Sequence, residues 1–185
     1  MRARIDPEGN LQFLELDPIC AETLKQLPEL LRVEDAEVRD RLLPDTYDDY
    51  ESAEQWRRYA QPELEHLFAS RAELVAKDLE MLGSDDEDGF SLIIPSEHRA
   101  AWLSALNAAR ITMFITSGLE AKELEADPGT LGDYERDLMV ARIDALAFVQ
   151  QLMLEARTAF DGTGDAGDDD DVDDELDDDW DPTAD

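Results

Sequence analysis

The chain has 185 residues, 43% of them apolar, and carries 48 acidic against 16 basic side chains for a net charge of -32. That length suits one ordinary domain with its own core, and that charge repels nucleic-acid phosphates and anionic membranes, so a basic protein is the expected partner. One cysteine and two histidines exclude an intrachain disulfide and a thiolate metal cluster.

The N-terminus reads as a β-hairpin, with short strand-like runs Arg2 to Ile5 and Leu11 to Leu16 on either side of the turn formers Asp6-Pro7-Glu8-Gly9-Asn10. Asp17 can cap a helix with Pro18 at its first position, and Ile19, Leu24, Leu27, Leu30 and Leu31 supply its apolar stripe up to a kink or break near Pro28. Asp35 can cap a short helix that brings Val38 and Leu42 together and stops before Pro44. Ser52 can cap another that contains Trp56 and Tyr59.

After Pro62, the residues Leu64, Leu67, Phe68, Leu74, Val75, Leu79 and Leu82 recur at helical steps, which predicts a core-facing stripe. A flexible acidic stretch, Gly83 to Gly89, leads to Phe90 to Ile94, an apolar and partly β-branched run expected to join the hairpin as a third strand. Ser96 can cap a helix carrying Trp102, Leu103, Leu106, Ala109, Met113 and Phe114 until Gly118. Asp127-Pro128-Gly129 marks a loop. From Tyr134 a last helix of roughly 27 residues presents Leu138, Ala141, Ala145, Phe148, Leu152, Ala156 and Phe160 on one face.

Composition breaks at Asp161, after which 14 of the last 25 residues are acidic and none is basic. Residues 161 to 185 are therefore expected to form a disordered polyacidic tail, because Val172, Leu176 and Trp180 offer too little apolar surface to offset chain entropy. Residues 1 to 160 keep 34 acidic against 16 basic side chains, a surplus of 18 negative charges. The fold predicted for them is mainly α: a bundle of about five to seven helices, with a small N-terminal antiparallel β-hairpin joined by the third strand. Met1 to Asp6 lack the apolar stretch of a secretory signal. The longest apolar runs, such as Ile111 to Ile115 with Thr112 inside it, fall far short of the ~20 residues that cross a bilayer, so a cytoplasmic location is expected.

Few residues suit catalysis. Cys20 sits in the first turn of its helix, where the macrodipole would lower a thiol's pKa, yet its neighbours Ile19, Ala21 and Leu24 read as core. His66, in Glu63-Leu64-Glu65-His66, and His98, beside Glu97, are the two available bases. Ser84 to Gly89 partly matches a calcium-loop register, but Ser84 stands at its first position and Pro95 at its twelfth, so the bidentate glutamate is missing and no metal or cofactor is expected. The aromatics Trp56, Tyr59, Trp102 and Phe114 read as core. Trp180, with Leu176 and Val172, is the candidate partner-binding element of the tail.

The block Arg41-Leu42-Leu43-Pro44-Asp45-Thr46-Tyr47, and Ala101-Trp102-Leu103-Ser104-Ala105-Leu106-Asn107 with Arg110 and Leu119 downstream, resemble a mainly actinobacterial family, domain of unknown function two-thousand-and-seventeen. The resemblance covers roughly residues 1 to 160 and brings no catalytic residues with it. Members of that family are often encoded beside the adaptor of the Clp protease, and some carry a regulatory-protein label, which implies a regulatory or adaptor role. The acidic tail and the Asp85-to-Asp88 loop depart from its pattern. The expected function is thus a non-enzymatic, adaptor-like interaction protein. A polyanion mimic that occupies a basic nucleic-acid-binding surface is the first alternative, and an enzyme centred on Cys20, His66 or His98 the second.

Overall fold

The computed structural model describes residues 1–161 apart from 33–34, 45–46, 86–88 and 128, and of Asp85 and residues 157–161 it describes the backbone. The acidic run Asp86-Glu87-Asp88 and the candidate element Val172, Leu176 and Trp180 lie outside the described residues.

Strands β1 (Arg2–Ile5) and β2 (Leu11–Leu16) form the expected antiparallel hairpin. Asp6 closes the turn by accepting the Asn10 backbone N–H at 2.8 Å. Strand β4 (Gly89–Ile94) pairs with the other side of β2, Leu11 opposite Ile94 and Phe13 opposite Leu92. A short strand β3 (Gly83–Asp85) then pairs with β4, giving the antiparallel order β1-β2-β4-β3. The sequence reading places a flexible acidic stretch there. An edge strand needs backbone pairing on one side only, and short polar edges suit solvent, so no apolar pattern announces it.

Leu11 and Phe13 face the core, and strict alternation would turn Glu15 inward beside them. Instead the register shifts between Phe13 and Leu16, Glu15 takes a φ of 57°, and Leu16 enters the core. Gly89 lies against this bulge with φ at 87°, where a Cβ would sit 2.9 Å from the Leu16 carbonyl oxygen.

Helix α1 (Pro18–Lys25) begins as predicted, the Asp17 carboxylate accepting the Cys20 N–H at 2.8 Å. The chain breaks at Gln26 and resumes as α2 (Leu27–Leu30), around Pro28. Asp35 caps α3 (Ala36–Leu42) through the Glu37 and Val38 N–H groups. The cap of α4 (Tyr50–Gln55) is Asp49 rather than Ser52, whose own N–H is the donor at 2.8 Å. A π-helical turn (Trp56–Ala60) carries α4 into α5 (Gln61–Leu79) without a break. The widened turn absorbs Pro62, which lacks the N–H for a regular α-helical bond.

Ser96 does not cap the next helix. A 3-10 turn (Ser96–His98) precedes α6 (Arg99–Ser117), the Ser96 hydroxyl bonds Glu97, and His98 holds the N-cap position. Gly118 ends α6 in the left-handed region. A 3-10 turn (Ala121–Glu123) then leads towards α7 (Tyr134–Asp161). Arg136 of α7 donates to Glu123 at 2.8 Å and holds that carboxyl down at about 2.

The sheet is one-sided: Leu11, Phe13, Leu16, Leu92 and Ile94 pack under the helices with Cys20, Leu24, Trp102, Leu106 and Leu146 in one buried cluster. The chain is thus a helix-dominated α+β protein with a four-stranded antiparallel sheet among the described residues.

Two stripes differ from expectation. On α5 only Val75 of the predicted face is buried, Phe68, Leu74, Leu79 and Leu82 are half-covered, and Leu67 is 40% exposed. On α7 the buried face is Val140, Ile143, Leu146, Val149 and Met153, one step round from the predicted stripe, and Phe148 is 43% exposed. Both arcs of α7 are apolar, so periodicity alone could not choose between them. Of the aromatics expected inside, Trp102 is buried and Phe114 half-buried, whereas Tyr59 is exposed and Trp56 pairs at the surface with Tyr47.

Gly89→Ala is expected to destabilise the protein by about 2 kcal/mol, from strain at positive φ and the clash with the bulge. Urea unfolding reads this, and an unshifted midpoint would mean that the β2–β4 junction relaxes freely.

Candidate functional site

Asp78, near the end of α5, is an acid within an apolar stripe, and its side chain is 6% exposed. Its carboxylate accepts the Trp102 indole N–H at 2.7 Å and the His98 Nδ1 at 2.9 and 3.0 Å. The carboxylate thereby places the His98 ring proton on Nδ1. The two partners stand one helical turn apart on the stretch that opens α6, so one acid meets both.

A carboxylate-oriented imidazole is two-thirds of a nucleophilic triad. The rest is missing among the described residues, where no hydroxyl or thiol bonds His98. Ser96 bonds Glu97, Ser104 accepts from Arg71 at 2.7 Å, and Cys20 is buried elsewhere in the core. The arrangement acts instead as a clasp: it joins the end of α5 to the start of α6 and so closes the chain around the β3–β4 hairpin.

The other candidates lie apart. His66 is exposed on α5. The Cys20 thiol is pushed up to about 12, first by burial and then by the negative charge of Asp17, so desolvation outweighs the helix dipole that the sequence offered as an activator. No group of three or more His, Cys, Asp or Glu among the described residues could hold a metal ion.

Sequence reasoning missed a groove. It has a volume of 390 Å³ and runs between α2, α3 and α5, with Pro28, Leu31, Leu43, Phe68, Ala69, Ala72 and Ala76 as apolar lining. Its charged lining is balanced, Arg32 and Arg39 against Glu65 and Glu73, and Arg39 approaches Glu65 at 3.7 Å. The alanines recur at three- and four-residue steps on α5, so small side chains form one wall, and Arg71 stacks over the Phe68 ring at 5.9 Å. The sequence signal was available in part: Ala69, Ala72 and Ala76 sit beside an incompletely buried leucine stripe, as on a helix that has one face for the core and a shallower one for something else.

The sequence matches the model of a family described as a domain of unknown function (DUF2017) over residues 7–157, which takes in strands β2 to β4, the clasp and the groove. No curated protein and no solved structure matches it.

Asp78→Ala is expected to cost about 3 kcal/mol of stability, since it leaves the buried Trp102 N–H without an acceptor, and His98→Ala about 1 kcal/mol. Urea unfolding of both variants ranks them, and equal effects would place the weight on His98 instead. Cys20 is expected to resist a thiol reagent at pH 8 in the folded protein and to react at once in denaturant. Rapid labelling of the native chain would contradict its burial.

Proposed function

The chain belongs to the DUF2017 family, and we propose that it works as a non-enzymatic, adaptor-like interaction protein that receives a segment of another protein in the groove between α2, α3 and α5. The groove carries this reading: a 390 Å³ concavity on the helical body whose wall mixes apolar side chains with charges of both signs. Ligand sites share that mix of apolar wall and few polar fixings, and a groove between helices suits an inserted helix or extended peptide. Enzymatic use of the Asp78–His98 pair draws less support, because that acid is engaged by Trp102 and stands in the core rather than at the groove.

The balance of charge has a consequence for the partner. With two arginines and two glutamates in its lining, the groove is a neutral window in a body that carries 18 net negative charges over residues 1 to 160. A partner held there is selected by shape and apolar contact more than by charge, so its affinity depends weakly on salt.

A photo-crosslinking amino acid at position 72 is expected to trap a partner in the host cell, and the same group at the remote, exposed Ala121 to trap none. Ala69→Arg, which fills the groove from an exposed position, is expected to abolish the adduct without unfolding the chain. No adduct at position 72, or an adduct indifferent to Ala69→Arg, would overturn the proposal.

A further inference from the structure

The second apolar arc of α7 is only partly covered: Ala141, Ala145 and Leu152 are half-buried, and Phe148 is 43% exposed. Ala141, Ala145, Phe148 and Leu152 follow at steps of four, three and four, the spacing of a helix-pairing seam. Beside them Ile19 of α1 is 45% exposed. Met1, Ile19, Ala141, Ala145 and Phe148 line a concavity of 470 Å³ whose charged side chains are Asp17 and Asp144. The α-amino group of Met1 offsets at most one of these charges.

We infer that this α1–α7 face docks an amphipathic helix of a partner protein, with apolar residues towards Phe148 and Ile19 and lysine or arginine beside Asp17 and Asp144. The acids choose the occupant. A second copy of this chain would bring a further charge of -32 against the same face, and the chain's own Val172-to-Trp180 segment is set among aspartates, so like charge disfavours both. A basic helix meets the opposite condition. The chain's overall charge of -32 favours the same kind of occupant at long range. Partial burial also raises the Asp144 carboxyl above its ordinary value, against the pull of Arg110, and a partner's cation placed there would offset that penalty by charge pairing.

This face shares no lining residue with the α2–α3–α5 groove, and the inference stands whether or not that groove is used. Two separate docking faces are what an adaptor requires.

The test uses the full chain, labelled for NMR, and two synthetic helices, one with leucine and lysine faces and one with leucine and glutamate faces. The leucine–lysine helix is expected to shift the amides of Ile19, Ala141, Ala145 and Phe148, and the leucine–glutamate helix to leave them in place. Phe148→Glu is expected to weaken binding about tenfold, while the charge-matched Tyr134→Glu at the exposed start of α7 changes it less than about twofold. Asp144→Asn, which keeps the shape of the face, is expected to weaken binding and flatten its salt dependence. Equal losses from Phe148→Glu and Tyr134→Glu, or shifts confined to residues 161–185, would reduce the binding to polyanion attraction and overturn the inference. So would equal binding of the glutamate helix, an Asp144→Asn variant that binds unchanged, or self-association of the free chain that Phe148→Glu abolishes. Crosslinking at position 72 is read separately, so failure of one face leaves the other standing.

Discussion

The fold turns on one buried carboxylate. Asp78 accepts hydrogen bonds from Trp102 and His98 across a hairpin's length of chain, and the two helices so joined present opposite duties: α6 fills the core, while α5 keeps its outer side for the groove. A buried acid is stabilising only where its donors satisfy it, and an unpaired one is among the costliest features a core can contain. The Trp102 indole supplies one such donor and also the largest fully buried side chain. The polar bond therefore fixes where the bulkiest core residue points, and the leucines around it pack against a ring whose rotamer is already set.

Local signals were legible because their physics is local. Asp17 and Asp35 cap helices, Pro28 breaks one, Gly118 ends another, and the run Phe90 to Ile94 joins the hairpin, all read from spacing and turn chemistry. What escaped the sequence required a partner. The pairing of Asp78 with His98 and Trp102 spans 20 and 24 residues and hides among 48 acids, although an aspartate inside an apolar stripe was a usable sign of a buried bond. Strand β3 has no hydrophobic pattern because its pairing is entirely backbone. The groove needed three helices from different parts of the chain before its alanines meant anything, and residue 49 outcompeted residue 52 as a cap because a carboxylate accepts an N–H more strongly than a hydroxyl does.

The rotation of α7 is a different kind of miss. Periodicity found a real apolar arc, but the helix carries two, and the sheet and α6 can cover only one. A helix that must pack on one side alone has no reason to be apolar on a second, since each exposed aliphatic or aromatic side chain forgoes roughly 1.5–3 kcal/mol of burial and adds an aggregation hazard. Phe148 of that arc, and Ile19 of α1 beside it, stay exposed next to acids rather than the mixed charges of the groove.

Charge separates the two faces. The groove balances its arginines and glutamates, whereas the α7 concavity has acidic side chains alone. In a chain at -32, neutrality at one place takes deliberate placement of scarce basic residues: Arg32 and Arg39 are two of only 16. Where no basic side chain lines the surface, as in the α1–α7 concavity, the local field reinforces the global one and any docking surface becomes selective for positive charge at long range. The two faces would thus sort partners by different physics, apolar shape on α5 and opposite charge on α7, so occupancy of one leaves the recognition rule of the other unchanged.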